Sequence, residues 1–232
     1  MNLFYTTRIE GDYAYLPEQE ARHCVQVLRK KEGDVLNFVN GSGGLFEGII
    51  EETAKKKCVL KITKVVKEFH KRNHYLHLAI APTKSIDRFE WFLEKSTEIG
   101  IDEITPLLCE HSERRRIRTD RLNKIVLSAM KQSLKAYLPK LNELTKFSDF
   151  LKTTTNVPST KFVAHCENEE KQHLKNVVSK KQHVIILIGP EGDFSKTEIQ
   201  MANEHDFGSI SLGQSRLRTE TAGIVACQIV NL

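Results

Sequence analysis

His183-Val184-Ile185-Ile186-Leu187-Ile188-Gly189-Pro190-Glu191-Gly192-Asp193 is the stretch that decides the fold. After the histidine, its first part is an unbroken apolar run rich in β-branched residues. That pattern suits a strand buried on both faces, as parallel strands are. Two glycines and a proline then turn the chain at the strand's carboxyl end, where open parallel sheets bind ligands. Immediately beyond, Ser195-Lys196-Thr197-Glu198 predicts a capped helix start. Ser195 accepts from the Glu198 N–H, Glu198 reaches back to the cap, and Phe194 staples onto Ile199. Capping accounts for Phe194, Ser195 and Glu198 and leaves 189–193 as a loop with no structural duty of its own. Gly189 and Gly192 are expected to let the backbone approach a ligand or take a positive φ.

Toward the carboxyl terminus the pattern repeats. A strand over Ser209 to Leu212 ends in Gly213, and Gln214 to Arg218 leads into a helix from about Thr219. The two glycine-bearing loops, from consecutive strands, are expected to form one crevice. Glu220 in the first turn has a structural role, a favourable interaction with the helix dipole. Arg218 has none. Neither loop reads Gly-x-Gly-x-x-Gly or Gly-x-x-x-x-Gly-Lys-Ser/Thr, so the dinucleotide and P-loop readings lose their usual support.

Toward the amino terminus, strand and helix alternate back to His74, with strands predicted over Tyr75 to Ala81, Glu103 to Cys109 and Lys161 to Cys166. This is the rhythm of an α/β domain with a mostly parallel sheet. A helix over Ser85 to Ile99 buries Phe89, Phe92, Leu93, Ser96 and Gly100. Another, over Thr119 to Tyr137, buries Leu122, Ile125, Val126, Ala129, Met130 and Ser133. Before residue 70 the chain is β-rich. A helix from Leu16-Pro17 to about Gly33 precedes strands Val35 to Val39 and Leu45 to Glu51, which flank the hairpin connection Asn40-Gly41-Ser42-Gly43-Gly44, and a strand Cys58 to Val66 follows. The polar stretch Glu68 to Asn73 predicts a boundary between domains 1–70 and 74–232.

The chain has 232 residues, 40% of them hydrophobic, enough for a real core. It has no apolar run of about 18 residues and no leader pattern at its start, so a soluble, unexported, cytoplasmic protein without membrane contact is expected. Its five cysteines are far apart and lack a Cys-x-x-Cys pair, which supports neither a disulfide framework nor a zinc knuckle. His70, His74 and His77 straddle linker and strand, and no metal is expected there. Cys109 and His111 lack a third orienting group for a nucleophile. The net charge of +5 is modest, but the basic residues cluster, as at Arg29 to Lys31, Lys55 to Lys57, Lys67 to Arg72 and Arg114 to Arg121. Clustering of this kind favours a phosphate backbone as partner. Trp91 is read as a partly buried aromatic in preference to a base-stacking one.

The whole chain resembles the bacterial small-subunit ribosomal RNA methyltransferases that modify uridine N3, members of the knotted SPOUT class. The resemblance is carried by Gly189-Pro190-Glu191-Gly192 with Phe194-Ser195 and Glu198, and by Leu212-Gly213 with Leu217-Arg218-Thr219-Glu220-Thr221-Ala222. Lys95-Ser96-Thr97-Glu98-Ile99-Gly100 before Pro106, and Gln132-Ser133 before Pro139, complete it. It implies an N-terminal PUA-like β-barrel, a C-terminal α/β domain with a deep trefoil knot, and a homodimer. It also implies S-adenosylmethionine as cofactor and small-subunit ribosomal RNA as partner, with an assembled particle favoured over free RNA. Carried over by motif, Leu187, Ile188, Gly189, Pro190, Glu191, Gly192, Ser211, Leu212, Gly213, Leu217 and Thr221 would hold the cofactor. Arg218 is the first catalytic candidate, as stabiliser of a uridine anion, with Arg8 behind it. Glu220 ranks second to solvent as proton acceptor. Lys84, Arg88, Lys95, Arg114, Lys131 and Lys135 would contact RNA. Asp193, Arg216 and Lys135 depart from the family pattern. The competing readings are a SPOUT enzyme with another acceptor, such as a ribose hydroxyl or a different base, and a non-catalytic RNA-binding assembly factor.

Overall fold

A computed structural model describes residues 2–167, 170–179 and 182–232. The chain forms two compact units, one of residues 1–71 with 127–138 and one of 72–126 with 139–232.

The first unit holds β1 (Leu3–Tyr5), β2 (Ile9–Glu10), β3 (Tyr13–Tyr15), α1 (Glu18–Arg22), β4 (Val35–Val39), β5 (Leu45–Ala54) and β6 (Lys57–Val66). The strands run in the order β1-β4-β5-β6-β3-β2, a single six-stranded sheet that is antiparallel except where β1 meets β4. Phe4, Phe38, Phe46, Ile50 and Leu60 fill its core, with the Phe38 and Phe46 rings stacked at 5.0 Å. The expected helix to Gly33 stops earlier. α1 passes into a π-helical turn over His23–Val27, and Arg29, at φ 54°, takes the left-handed conformation that ends it.

Segment 127–138, which the sequence assigns to the C-terminal domain, packs in the first unit, where Met130 and Ala136 join Leu3 and Val39 in one cluster. It begins within α3 (Thr119–Gln132), which ends before the expected Tyr137. Leu134 sits at φ 55°, and the Lys135 N–H reaches the Met130 carbonyl while the Leu134 N–H reaches that of Lys131. This is a Schellman stop with leucine where glycine is usual, so no glycine announces it.

The second unit contains β7 (Tyr75–Ile80), α2 (Ile86–Ile99), β8 (Glu103–Leu108), β9 (Lys140–Leu141), β10 (Thr145–Lys146), α4 (Phe147–Thr154), β11 (Thr160–Ala164), β12 (Gln172–His173), α5 (Leu174–Val177), β13 (His183–Ile188), α6 (Lys196–Glu204), β14 (Gly208–Ser211) and α7 (Thr219–Val230). Among the described residues its eight strands are all parallel, in the order β10-β8-β7-β13-β11-β14-β12, with β9 also on β8. β13 lies between β7 and β11, buried from Val184 onward. Ile185 and Leu187 point into a core with Phe147, Phe150, Phe194 and Phe207. α2 and α7 pack against each other. Between them Gly223 leaves room, since a Cβ there would lie 2.6 Å from the Phe92 ring.

Candidate active site

The capping box is formed as the sequence predicts. The Ser195 hydroxyl accepts from the Glu198 N–H at 3.2 Å, the Glu198 carboxylate accepts from the Ser195 N–H at 2.9 Å, and Phe194 and Ile199 share one core cluster. The loop before it takes its shape from Asp193 instead of the glycines. Gly189 and Gly192 do not adopt positive φ, whereas Asp193 does, at 63°. Aspartate tolerates this region better than most residues, and its two carboxylate oxygens accept from the Phe194 N–H at 2.8 Å and the Cys166 N–H at 2.6 Å. The departure from the family pattern is therefore a strut between the β13 and β11 loops. The glycines serve close packing, since a Cβ on Gly189 would lie 3.1 Å from the Phe194 nitrogen and one on Gly192 3.2 Å from His111.

Strand order revises the crevice. β13 and β14 are not neighbours, because β11 runs between them, so three strand ends build the site. The result is a crevice of about 780 Å³ at their carboxyl ends. Of the residues expected to hold a cofactor, Ile188, Gly189, Pro190, Glu191, Ser211, Leu212, Gly213 and Leu217 line it. Three others do not. Leu187 is fully buried in the core, Gly192 backs onto His111, and Thr221 faces a separate cleft. The sequence reading missed the β11 side: His165, Cys166, Glu167 and Lys171. The rule about carboxyl ends of strands would have found them had it been applied to every strand, not only to those ending in glycine.

Hydrogen bonds hold the rim in place. The Thr219 hydroxyl, at the start of α7, donates to the Gly189 carbonyl at 3.1 Å, and the Ser211 hydroxyl accepts from the Gly213 N–H at 3.1 Å, where Gly213 takes φ 133°. The His111 ring donates to the Gly192 and Asp193 carbonyls at 3.2 and 3.0 Å. Glu191 accepts from the Lys84 N–H at 2.8 Å, tying in the loop after β7. Cys109 beside this rim is buried, and burial pushes its thiol above the ordinary value, so no thiolate nucleophile is prepared.

Arg218 is the N-cap residue of α7, exposed, and lines both the crevice and the neighbouring cleft. Glu220, in the first turn of α7, is buried. Its Oε1 lies 3.9 Å from the Arg88 Nε, and its Oε2 is buried without a hydrogen-bond partner. Arg8 is in the first unit, paired with Glu10 at 2.9 Å and lying over the Tyr15 ring at 4.4 Å.

The six expected RNA contacts are divided between the two units. Lys131 and Lys135 belong to the first unit and the others to the second. Arg114 is committed to the fold, donating to the Thr83 and Lys84 carbonyls at 2.9 and 2.5 Å. Lys84 pairs with Glu113, Lys95 with Glu94 and Glu98, and Lys131 with Glu20. Trp91, expected to be partly buried, is 45% exposed.

A family model described as an RNA methyltransferase domain matches residues 70–231, and one described as an RNA methyltransferase PUA domain matches residues 16–63. The chain belongs to the RNA methyltransferase family. Among its relatives, this methyltransferase is 31% identical over 217 residues to the Ribosomal RNA small subunit methyltransferase E of Rickettsia conorii, covering 93% of this chain and 87% of that one. Its fold is similar to a probable rRNA-methyltransferase from Porphyromonas gingivalis, with TM-score 0.90, 41% identity, and 98% and 96% of the two chains covered. It is also similar to a Ribosomal RNA small subunit methyltransferase E from Neisseria gonorrhoeae bound to S-adenosyl methionine, with TM-score 0.87, 25% identity, and 98% and 95% covered.

Proposed function

We propose that this methyltransferase transfers a methyl group from S-adenosylmethionine to N3 of a uridine in small-subunit ribosomal RNA. The observation that carries the reading is the crevice at the carboxyl ends of β13, β11 and β14, lined by Arg218, which also faces the neighbouring cleft that holds Glu220. The similar protein from Neisseria gonorrhoeae holds the same cofactor, and the relative from Rickettsia conorii is named for small-subunit ribosomal RNA. A homodimer, a trefoil knot, an assembled particle as substrate and a cytoplasmic setting belong to the same proposal.

The residues present fit the cofactor. A rim of backbone groups on three strand ends and an apolar floor at Ile188, Ile210 and Leu217 suit an adenosine with a short polar tail. When bound, the cofactor supplies an electrophilic methyl group on a sulfonium. The chain's own work is to align and to manage charge. Uridine N3 becomes nucleophilic only as its proton leaves, and the negative charge spreads onto the adjoining carbonyl oxygens. Arg218 favours that anion. A carboxylate in the first turn of a helix is a weak base, which ranks Glu220 behind solvent on sequence grounds. Its buried, unpartnered oxygen reverses that order. Arg8 is held by Glu10 and Tyr15, and no step is assigned to it.

The test is product analysis. Small-subunit particles or RNA lacking the modification, treated with the protein and cofactor and then digested, are expected to yield N3-methyluridine. Methyl on ribose would point to another acceptor. Failure of S-adenosylmethionine to bind in calorimetry would leave only an RNA-binding module.

A further inference from the structure

Residues 216–218 have the crevice on one side and a second hollow on the other. This cleft, of about 680 Å³, is lined by Arg88 and Trp91 of α2 and by Arg216, Leu217, Arg218 and Glu220 at the start of α7. Two features of its lining have no explanation in the fold. Trp91 is 45% exposed on a helix that fully buries Phe89, Phe92 and Leu93, so its indole face is turned out where the helix has no packing use for it. The Glu220 side chain is only 9% exposed, and its Oε2 is buried with no partner. A carboxylate oxygen withdrawn from water without a donor is costly, and a ligand that brings one N–H removes that cost.

We propose that this cleft seats the acceptor base, a uracil turned out of the RNA stack, with its face on Trp91 and its N3–H donated to Glu220 Oε2. The inference rests on the functional reading above and deepens it by naming where the base lies and why it is uracil. The Watson–Crick edge of uracil presents one N–H between two carbonyl oxygens. Glu220 complements the N–H, and the guanidinium groups of Arg88 and Arg218 complement the oxygens. Cytosine has a bare lone pair at N3, which would face the carboxylate, and an amino group beside it, which would face an arginine. A site built around a donor rejects the ring that lacks it, and enzymes acting on extruded bases read them by such edge contacts and by stacking. The cofactor crevice shares the wall 216–218 with this cleft, so a base held there lies next to the methyl donor's site.

Trp91 is the only tryptophan in the chain, so its fluorescence reports stacking directly. Single-stranded hexamers of uridylate and of cytidylate are titrated into the full protein. Uridylate is expected to quench Trp91 with an apparent affinity about tenfold or more above that of cytidylate. Glu220→Gln, whose amide can donate as well as accept, is expected to bring the two within about twofold. In methyl transfer, Trp91→Leu is expected to raise KM for RNA by about five- to a hundredfold with cofactor affinity unchanged, and Trp91→Phe to recover most of the loss. Equal quenching by the two hexamers, or a preference untouched by Glu220→Gln, overturns the proposal. N3-methyluridine formed without selective quenching overturns the cleft and leaves the functional reading standing. Selective quenching with no methyl transfer overturns the functional reading and leaves a uracil-binding cleft.

Discussion

At the amino end of the parallel sheet, Glu103 accepts from the Tyr75 hydroxyl, Lys140 and Asn142 at 2.8, 2.8 and 2.7 Å, and His77 bonds Thr105 at 2.7 Å. Beside them Arg72 meets Asp102 at 2.6 Å, and Asp102 also holds the Leu76 N–H. At the carboxyl end, Glu220 keeps a buried oxygen with nothing to bind it, and Arg218 is exposed without a hydrogen-bond or ion-pair partner among the described residues. Among the described residues, two imidazole nitrogens, of His74 and His183, are unpartnered at the amino end, but no carboxylate is. The same sheet therefore satisfies its carboxylates at one end and keeps one of them, Glu220, unsatisfied at the other. Closed charge holds a fold together; open charge waits for a ligand.

Mutations at the two ends are expected to separate the two properties. Arg218→Ala, at the open end, is expected to lower kcat by about 10²- to 10³-fold, the usual loss of one group that stabilises developing negative charge. The urea midpoint and the calorimetric affinity for S-adenosylmethionine are expected to hold. A defect confined to affinity would remove Arg218 from the chemistry. Glu103→Ala, at the closed end, leaves three donors without their acceptor and is expected to cost about 2 to 4 kcal/mol in urea unfolding. Cofactor affinity of the folded protein is expected to stay within about twofold. A variant that keeps its stability but loses cofactor would blur the distinction between the ends.

The smallest effect is on pH dependence. Burial lowers the His77 pKa from 6.5 to about 4, so the unfolded chain takes up this proton first. The stability linked to it is complete above about pH 6.5 and is lost as pH falls toward 4. Burial of Glu103 would raise its pKa, but hydrogen bonds from Asn142 and Lys140 outweigh burial and lower it from 4.5 to about 2. Its share is complete above about pH 4.5 and goes as pH falls toward 2. Unfolding midpoints are therefore expected to decline below about pH 6.5, and His77→Gln to flatten the limb between 6.5 and 4. A wild-type profile level across that limb would contradict the closed-end account.

Local signals are legible in the sequence and non-local ones are not. β13 covers His183 and the whole apolar run to Ile188, and both bonds of the Ser195 box are present, because each depends on neighbours in the chain. The place of β11 between β13 and β14 depends on which strands pair across long separations, and no residue in 160–164 announces it. Helix ends are not legible where the chain dispenses with glycine. Arg29 and Leu134 carry the left-handed turns that end helices expected to run on to Gly33 and Tyr137. The site was legible as a ligand crevice from two glycine loops, and its chemistry came from the family resemblance. The exposure of Trp91 and the missing partner of Glu220 are properties of packing, which local sequence does not carry.

Asp193 fastens the β13 loop to Cys166, the Asp193 N–H closes on the Pro190 carbonyl at 2.9 Å, and Thr219 holds the Gly189 carbonyl. A molecule entering this rim meets walls already assembled, so little conformational entropy is spent in closing them around it. Compounds competing for the crevice are then expected to differ mainly in residence time, with association rates nearly alike.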